Sequence, residues 1–194
     1  MIASAVRLFA FAAAFAAAGI SQAPAQEMDL REVMGFGPFF RSGSSGVSPV
    51  PRERVQFMGN YAPGTIVIST SERRLYLVGA DGTALRYGIG VGRDGFRWAG
   101  THRITAKKEW PSWTPPAQML RRRPDLPRHM AGGEDNPLGA RAMYLGSTLY
   151  RIHGSNEPET IGQAVSSGCF RMTNEDVVDL YERVRVGTKV VVKN

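Results

Sequence analysis

Apolar positions in this chain fall in short alternating or continuous runs, which predicts a fold built mainly of strands. Residues 65–70 (Thr-Ile-Val-Ile-Ser-Thr) and 74–78 (Arg-Leu-Tyr-Leu-Val) are two such runs, separated by Ser71-Glu72-Arg73. Ala80-Asp81-Gly82-Thr83 then turns the chain into residues 85–91. Asp-Gly between apolar runs is a strong hairpin signal. Further strands are predicted at 101–106, at 142–145 and 148–152 joined through Gly146-Ser147, and at 189–193. Residues 158–163 suggest a short helix. Thr173 reads as an N-cap followed by Glu175 and Asp176, with Val177, Leu180, Tyr181 and Val184 on one helical face. The expected fold class is mainly β: antiparallel strands closing into a sandwich or squashed barrel, with one or two short helices and a long lid loop. No internal repeat is visible.

Two stretches break the pattern. Residues 108–139 follow neither period and hold Trp110, Trp113 and the prolines 111, 115, 116, 124, 127 and 137. An insert of this length in a small domain is usually a functional lid or a disordered segment. The two tryptophans favour a flap over a cleft. Residues 26–60 read as a flexible tether, interrupted by glycines and prolines around Ser42-Gly43-Ser44-Ser45-Gly46. The folded catalytic domain is expected over residues 61–194.

The first 25 residues add a location. Arg7 precedes an apolar run from Leu8 to Ile20, and Ala23-Pro24-Ala25 fits a small-x-small cleavage site. The run is short for a membrane span, which takes roughly 20 apolar residues. We therefore read residues 1–25 as a cleaved signal peptide, leaving no stable membrane span. Removing them lowers the formal charge from +7 to +6. A basic exported protein suits anionic wall polymers or carboxylate-rich partners. Nucleic acid is not expected as a partner, because the aromatic and basic residues do not interleave as a stacking platform would require.

The candidate chemistry centres on Cys169, the only cysteine of the 194 residues. Exported proteins normally pair their cysteines. A lone thiol is then buried and inert, joined to another chain, or kept for its reactivity. His153 lies sixteen residues upstream, at the end of a predicted strand. A histidine able to take the thiol proton favours reactivity. Gly168 lets backbone N–H groups approach a substrate carbonyl, and the helix after Thr173 would help stabilise negative charge. A backbone carbonyl could fix the histidine tautomer. His102 and His129 have no comparable neighbours. Three scattered histidines and one cysteine do not make a zinc site, and no cofactor is expected. Gly90-Val91-Gly92-Arg93-Asp94-Gly95 fits a dinucleotide-binding fingerprint. The sequence after it has no helical stripe, so it is read as a loop. Arg121-Arg122-Arg123 with Arg128 is read as a solvated loop face.

His153-Gly154-Ser155, then Ser166-Ser167-Gly168-Cys169-Phe170-Arg171-Met172, resembles the catalytic motif of the L,D-transpeptidase family (the YkuD or ErfK/YbiS type). The resemblance extends over roughly residues 61–194. It includes Asn136-Pro137-Leu138-Gly139, Ile161-Gly162 and Asn174-Glu175-Asp176-Val177. It departs at one point: the family's histidine before Gly-Cys is Ser167 here. Serine donates a hydrogen bond but carries no charge at neutral pH. The resemblance implies Cys169 as nucleophile and His153 as proton donor and acceptor. It implies backbone support from Gly168, Cys169 and Gly154, and substrate contacts from Arg171, Ser167, Trp110 and Trp113. The implied partners are peptidoglycan tetrapeptide stems, with a second stem or a wall-attached protein as acceptor, in the periplasm or cell-wall compartment. Two alternatives carry other chemistry: a thiol hydrolase trimming stems or releasing wall-attached protein, and a non-catalytic wall-binding module.

Overall fold

The structure is a computed structural model that describes residues 48–194. The signal-peptide reading and most of the tether lie outside the described residues. Eleven strands form the framework: β1 Glu53–Gln56, β2 Ile66–Ser69, β3 Arg74–Val78, β4 Thr83–Gly88, β5 Val91–Gly92, β6 Gly100–Glu109, β7 Arg141–Leu145, β8 Arg151–His153, β9 Ala164–Ser166, β10 Phe170–Arg171 and β11 Lys189–Lys193. Among the described residues two α-helices accompany them, α1 Ala117–Arg122 and α2 Asn174–Arg183, with a 3-10 turn at Pro158–Thr160. The class is mostly β, as expected. The folded part includes Glu53–Gln56, ahead of the expected start near Tyr61, because β1 pairs with β4.

The main sheet runs β1-β4-β3-β2-β11-β6-β7-β8-β10. Strand β6 is its pivot. Its first half pairs with β11, and beyond Ile104 it pairs with β7 after a register shift. A bulge bends and twists a strand, so one strand serves both halves of the sheet. The strands are not all antiparallel. β11 lies parallel to β2, β10 parallel to β8, and β5 parallel to β9. Parallel neighbours need a long crossover rather than a hairpin. One such crossover, from β8 to β10, carries the residues of greatest chemical interest.

The core draws on both halves: Ile66, Ile68, Leu75, Tyr87, Val190 and Val192 from one, and Ile104, Met143, Leu145, Ile152 and Phe170 from the other. Strand β2 is buried at every position, consistent with its central place and its unbroken apolar sequence. Helix α2 closes this core with Val177 and Leu180. Its start is set by Thr173, whose hydroxyl accepts from the Asp176 N–H. Its end is held by Lys107 on β6. The Lys107 ammonium donates to the carbonyls of Tyr181 and Val184 at 2.6 and 2.7 Å and lies 3.9 Å from the Tyr181 ring centre. A cation there meets orphan carbonyls, the negative end of the helix and an aromatic face at once.

Residues 110–139 are not a bare loop. They contain α1 and a small core of Trp113, Leu126 and Leu138, packed by Met119, Leu120 and Met130. Trp113 and Met130 exchange two backbone hydrogen bonds, each 2.8 Å. The prolines hid α1 because Pro115 and Pro116 stand immediately before it, where proline is tolerated.

Replacing Lys107 by Met keeps the apolar stem and removes the cation. Urea unfolding of Lys107→Met is expected to show a loss of about 1–3 kcal/mol. An unchanged midpoint would mean that the helix end is held otherwise.

Candidate active site

His153 ends β8, and the ladder sets Arg171 of β10 directly opposite it. The Met172 N–H donates to the His153 carbonyl at 2.9 Å, continuing that pairing. Cys169 stands immediately before β10, so the crossover returns the thiol to the strand end that carries the imidazole. His153, Cys169, Arg171 and Ser167 line one cleft of about 650 Å³. Residues of the flap also line it, including Trp113, Met119, Arg122, Leu126 and Leu138.

His153 is buried, and its Nδ1 lies 2.6 Å from the Gly154 carbonyl. A carbonyl can only accept, so Nδ1 carries the hydrogen and Nε2 is left with its lone pair. The tautomer is therefore set by backbone, as the sequence reading allowed. Burial, reinforced by the Arg171 charge, pushes the His153 pKa down to about 3. The imidazole is neutral, and able to accept a proton, throughout the physiological range.

The thiol is shifted the other way. Burial pushes Cys169 up, while Arg151, through its charge and hydrogen bonds, and Arg171, through its charge, pull it down. Burial prevails, so the resting cleft holds a thiol rather than a thiolate. Sγ donates to the Leu149 carbonyl, a long contact at 3.7 Å.

The turn before Cys169 is tightly tied. Gly168 has φ +110°, and a Cβ there would lie 2.5 Å from the Tyr150 ring. Both facts require glycine. The Ser166 hydroxyl donates to the Cys169 carbonyl at 2.6 Å and accepts from the Gly168 N–H at 3.1 Å. Gly154 also has no room for a side chain, because a Cβ would meet Asn174 Oδ1 at 2.4 Å. Its N–H donates to the Arg141 carbonyl at 3.0 Å. The amides of Gly154 and Gly168 are thus engaged within the protein. The Cys169 N–H has no hydrogen-bond partner among the described residues.

Other expected contacts divide. Trp113 is buried in the cleft wall. Trp110 is 44% exposed and does not line the cleft. Its backbone N–H donates to the Ala140 carbonyl at 2.8 Å, which fastens the base of the flap. Arg171 lines the cleft but also pairs with Glu157 at 3.2 Å, both side chains nearly buried. The sequence reading did not find Glu157. Four residues after His153 and just before Pro158, it gave no periodic signal. Arg122 and Arg123, read as a solvated face, line the cleft, and Arg93 and Arg151 join them. Arg93 and Arg122 both lie over the Phe96 ring, at 4.9 and 5.4 Å. Among the described residues, no group of three His, Cys, Asp or Glu is placed to hold a metal ion.

The fold and this motif together define a class. Residues 63–192 match the L,D-transpeptidase catalytic domain model. The chain belongs to that family. A probable L,D-transpeptidase, YbiS, of Escherichia coli K12 is 41% identical over 134 residues, covering 64% of this chain and 43% of that relative. The chain thus spans less than half the length of that relative. The catalytic domain of an E. faecium L,D-transpeptidase superposes with a TM-score of 0.54 at 20% identity, over 70% of this chain and 100% of that one. A Brucella melitensis structure named a probable carnitine operon oxidoreductase is 48% identical, with a TM-score of 0.50, over 82% of this chain and 98% of that one. In this chain the glycine-rich loop after Gly90 enters no helix, so the helix N-terminus of a dinucleotide site is missing.

Iodoacetamide alkylation of Cys169 should still be accelerating between pH 7 and pH 9, through the ordinary thiol range near 8.5. Arg151→Gln removes a charge that favours the thiolate, so its rate at any fixed pH in that range should be lower. A plateau near neutrality would mean that the thiol is already ionised by His153.

Proposed function

We propose that this chain is an exported, cysteine-dependent L,D-transpeptidase acting on peptidoglycan tetrapeptide stems. The observation that carries the reading is the Nδ1–H contact from His153 to Gly154, which leaves Nε2 as a proton acceptor in the cleft that holds Cys169. The family assignment gives this pair its chemistry.

In this mechanism Sγ turns from the Leu149 carbonyl and gives its proton to His153 Nε2. It attacks the carbonyl of the third stem residue, and a C–S bond forms. The C–N bond to the terminal D-alanine breaks, and the protonated imidazole returns its proton to the departing amine. A thioester remains. An amine from a second stem, or from a wall-attached protein, attacks that thioester. Its proton passes to His153, the amide forms and the thiol is restored. The Cys169 N–H is the backbone donor offered to the developing oxyanion. The neutral histidine suits the first step, since the base must enter unprotonated. The cationic cleft wall suits stem carboxylates. Export rests on residues 1–25 and the lone thiol, and places the enzyme in the periplasm or cell-wall compartment.

The raised thiol pKa and the Leu149 contact favour a second reading, a wall-binding module without catalysis. Acylation by imipenem separates the two. Opening of the β-lactam by Cys169 would add the intact drug mass to the protein, and a module would stay unmodified.

With purified stems and a labelled D-amino acid, the wild-type protein is expected to exchange the terminal residue. Cys169→Ala should fall to background, and His153→Gln by about 100-fold or more. Full exchange by Cys169→Ala would refute the proposal. Loss of D-alanine without incorporation of label would assign the hydrolase instead.

A further inference from the structure

The glycine-rich loop after β5 and the aromatic residues beyond it have no part in the chemistry described so far. They pack directly behind the nucleophile. Trp98 Nε1 donates to the Gly168 carbonyl at 2.8 Å. The Trp98 ring stacks on Tyr150, with centroids 4.4 Å apart and planes 13° from parallel. It also touches Phe170, and His102 meets it edge-on. Tyr150 in turn fills the space that a Gly168 side chain would need. The Phe96 carbonyl stands 3.3 Å from the same point.

This arrangement fixes one peptide plane. In a trans peptide the carbonyl and the following N–H point in opposite directions. With the Gly168 carbonyl held on the indole, the Cys169 N–H must point away from Trp98. Every other polar backbone group that could rotate this plane is already committed: the Gly168 N–H and the Cys169 carbonyl are both on Ser166. Only the Cys169 N–H is left over. An unpaired amide in a largely buried turn is unfavourable unless something accepts from it.

We propose that Trp98 is a positioning residue for the reaction: its indole N–H sets the Gly168–Cys169 peptide so that the Cys169 amide donates to the oxyanion. The inference rests on the transpeptidase reading of the site. It assigns a role in the chain where Ser167 replaces the family's histidine, since serine brings no charge to the same turn. The indole contributes no atom to the reacting centre. It removes the freedom of the donor to rotate.

Trp98→Phe keeps an aromatic ring on Tyr150 and deletes only the donor. Two reagents then separate positioning from bulk structure. Imipenem acylation passes through an oxyanion, and iodoacetamide alkylation does not. In Trp98→Phe the second-order rate of imipenem acylation, read as the mass shift at Cys169, should fall by about 10-fold or more, given that small misplacements cost up to about 100-fold. Alkylation at the same pH should stay within about 2-fold of wild type. Equal acylation by variant and wild type would overturn the inference, and so would parallel losses in both reactions. Trp98→His retains a ring N–H and should recover part of the acylation rate if it reaches the Gly168 carbonyl. Recovery of acylation without change in alkylation supports the inference. If the wild type itself is not acylated, the transpeptidase reading fails, and that outcome is distinct from equal rates in the two proteins.

Discussion

The parallel pairing of β8 with β10 is the constraint on which the site depends. Two parallel neighbours cannot be joined by a tight turn, so the chain leaves His153, runs through the 3-10 turn and β9, and returns at Phe170. That path brings Cys169 back beside the histidine it left. The Met172 N–H on the His153 carbonyl and the Arg171–His153 register fix where it returns. A one-residue slip in this ladder would reverse the faces of β10. It would turn Arg171 into the hydrophobic core in place of Phe170. The apolar burial of Ile152 and Phe170 therefore protects the register, and the register protects the geometry of the thiol.

The same crossover decides the electrostatics. Arg171 enters a nearly buried position because β10 carries it there, and Glu157 on the crossover meets it. Pairing partly answers the cost of burying a guanidinium, and removing one partner from such a pair typically costs about 3–5 kcal/mol. The remaining positive field falls on both His153 and Cys169. It depresses the histidine further and works against the burial that raises the thiol. The consequence is a neutral thiol and a neutral imidazole at rest. That resting state suits a cleft whose walls already hold several arginines.

Much of this was legible in the sequence, for reasons that can be named. β3 and β11 were found at their observed bounds because β-branched and aromatic runs flanked by turn residues are unambiguous. Thr173 was legible as a cap because its hydroxyl and the acids after it follow a local rule. His153 and Cys169, singled out by spacing, line one cleft. The strands β9 and β10 were not found, since two or three residues carry no period. Glu157, Trp98 and Tyr150 were missed for a different reason: each acts through a partner distant in sequence, and only the packing of the crossover against the β5 loop reveals it. The engagement of the Gly154 amide was not legible either, because sequence shows that an amide exists, not that the Arg141 carbonyl already holds it.

The flap shows how a lid-like sequence can become a wall. Its composition suggests mobility, yet its ends are fastened. Asn136 is buried, with its amide donating to the Ala131 carbonyl at 2.7 Å and its oxygen accepting from Leu138 at 2.9 Å. Trp113 and Met130 close the segment on itself, and Arg122 of α1 reaches across to the Phe96 ring. A segment with its own small core loses less order when substrate binds than a free loop would, so less binding energy is spent on ordering it. The Arg122–Phe96 contact is its weakest fastening, because both partners retain solvent access and a cation over a ring at such a site contributes about 0.5–1 kcal/mol. Opening at that rim, rather than unfolding of the whole segment, is therefore the motion of lowest cost by which the flap can widen the cleft around Cys169.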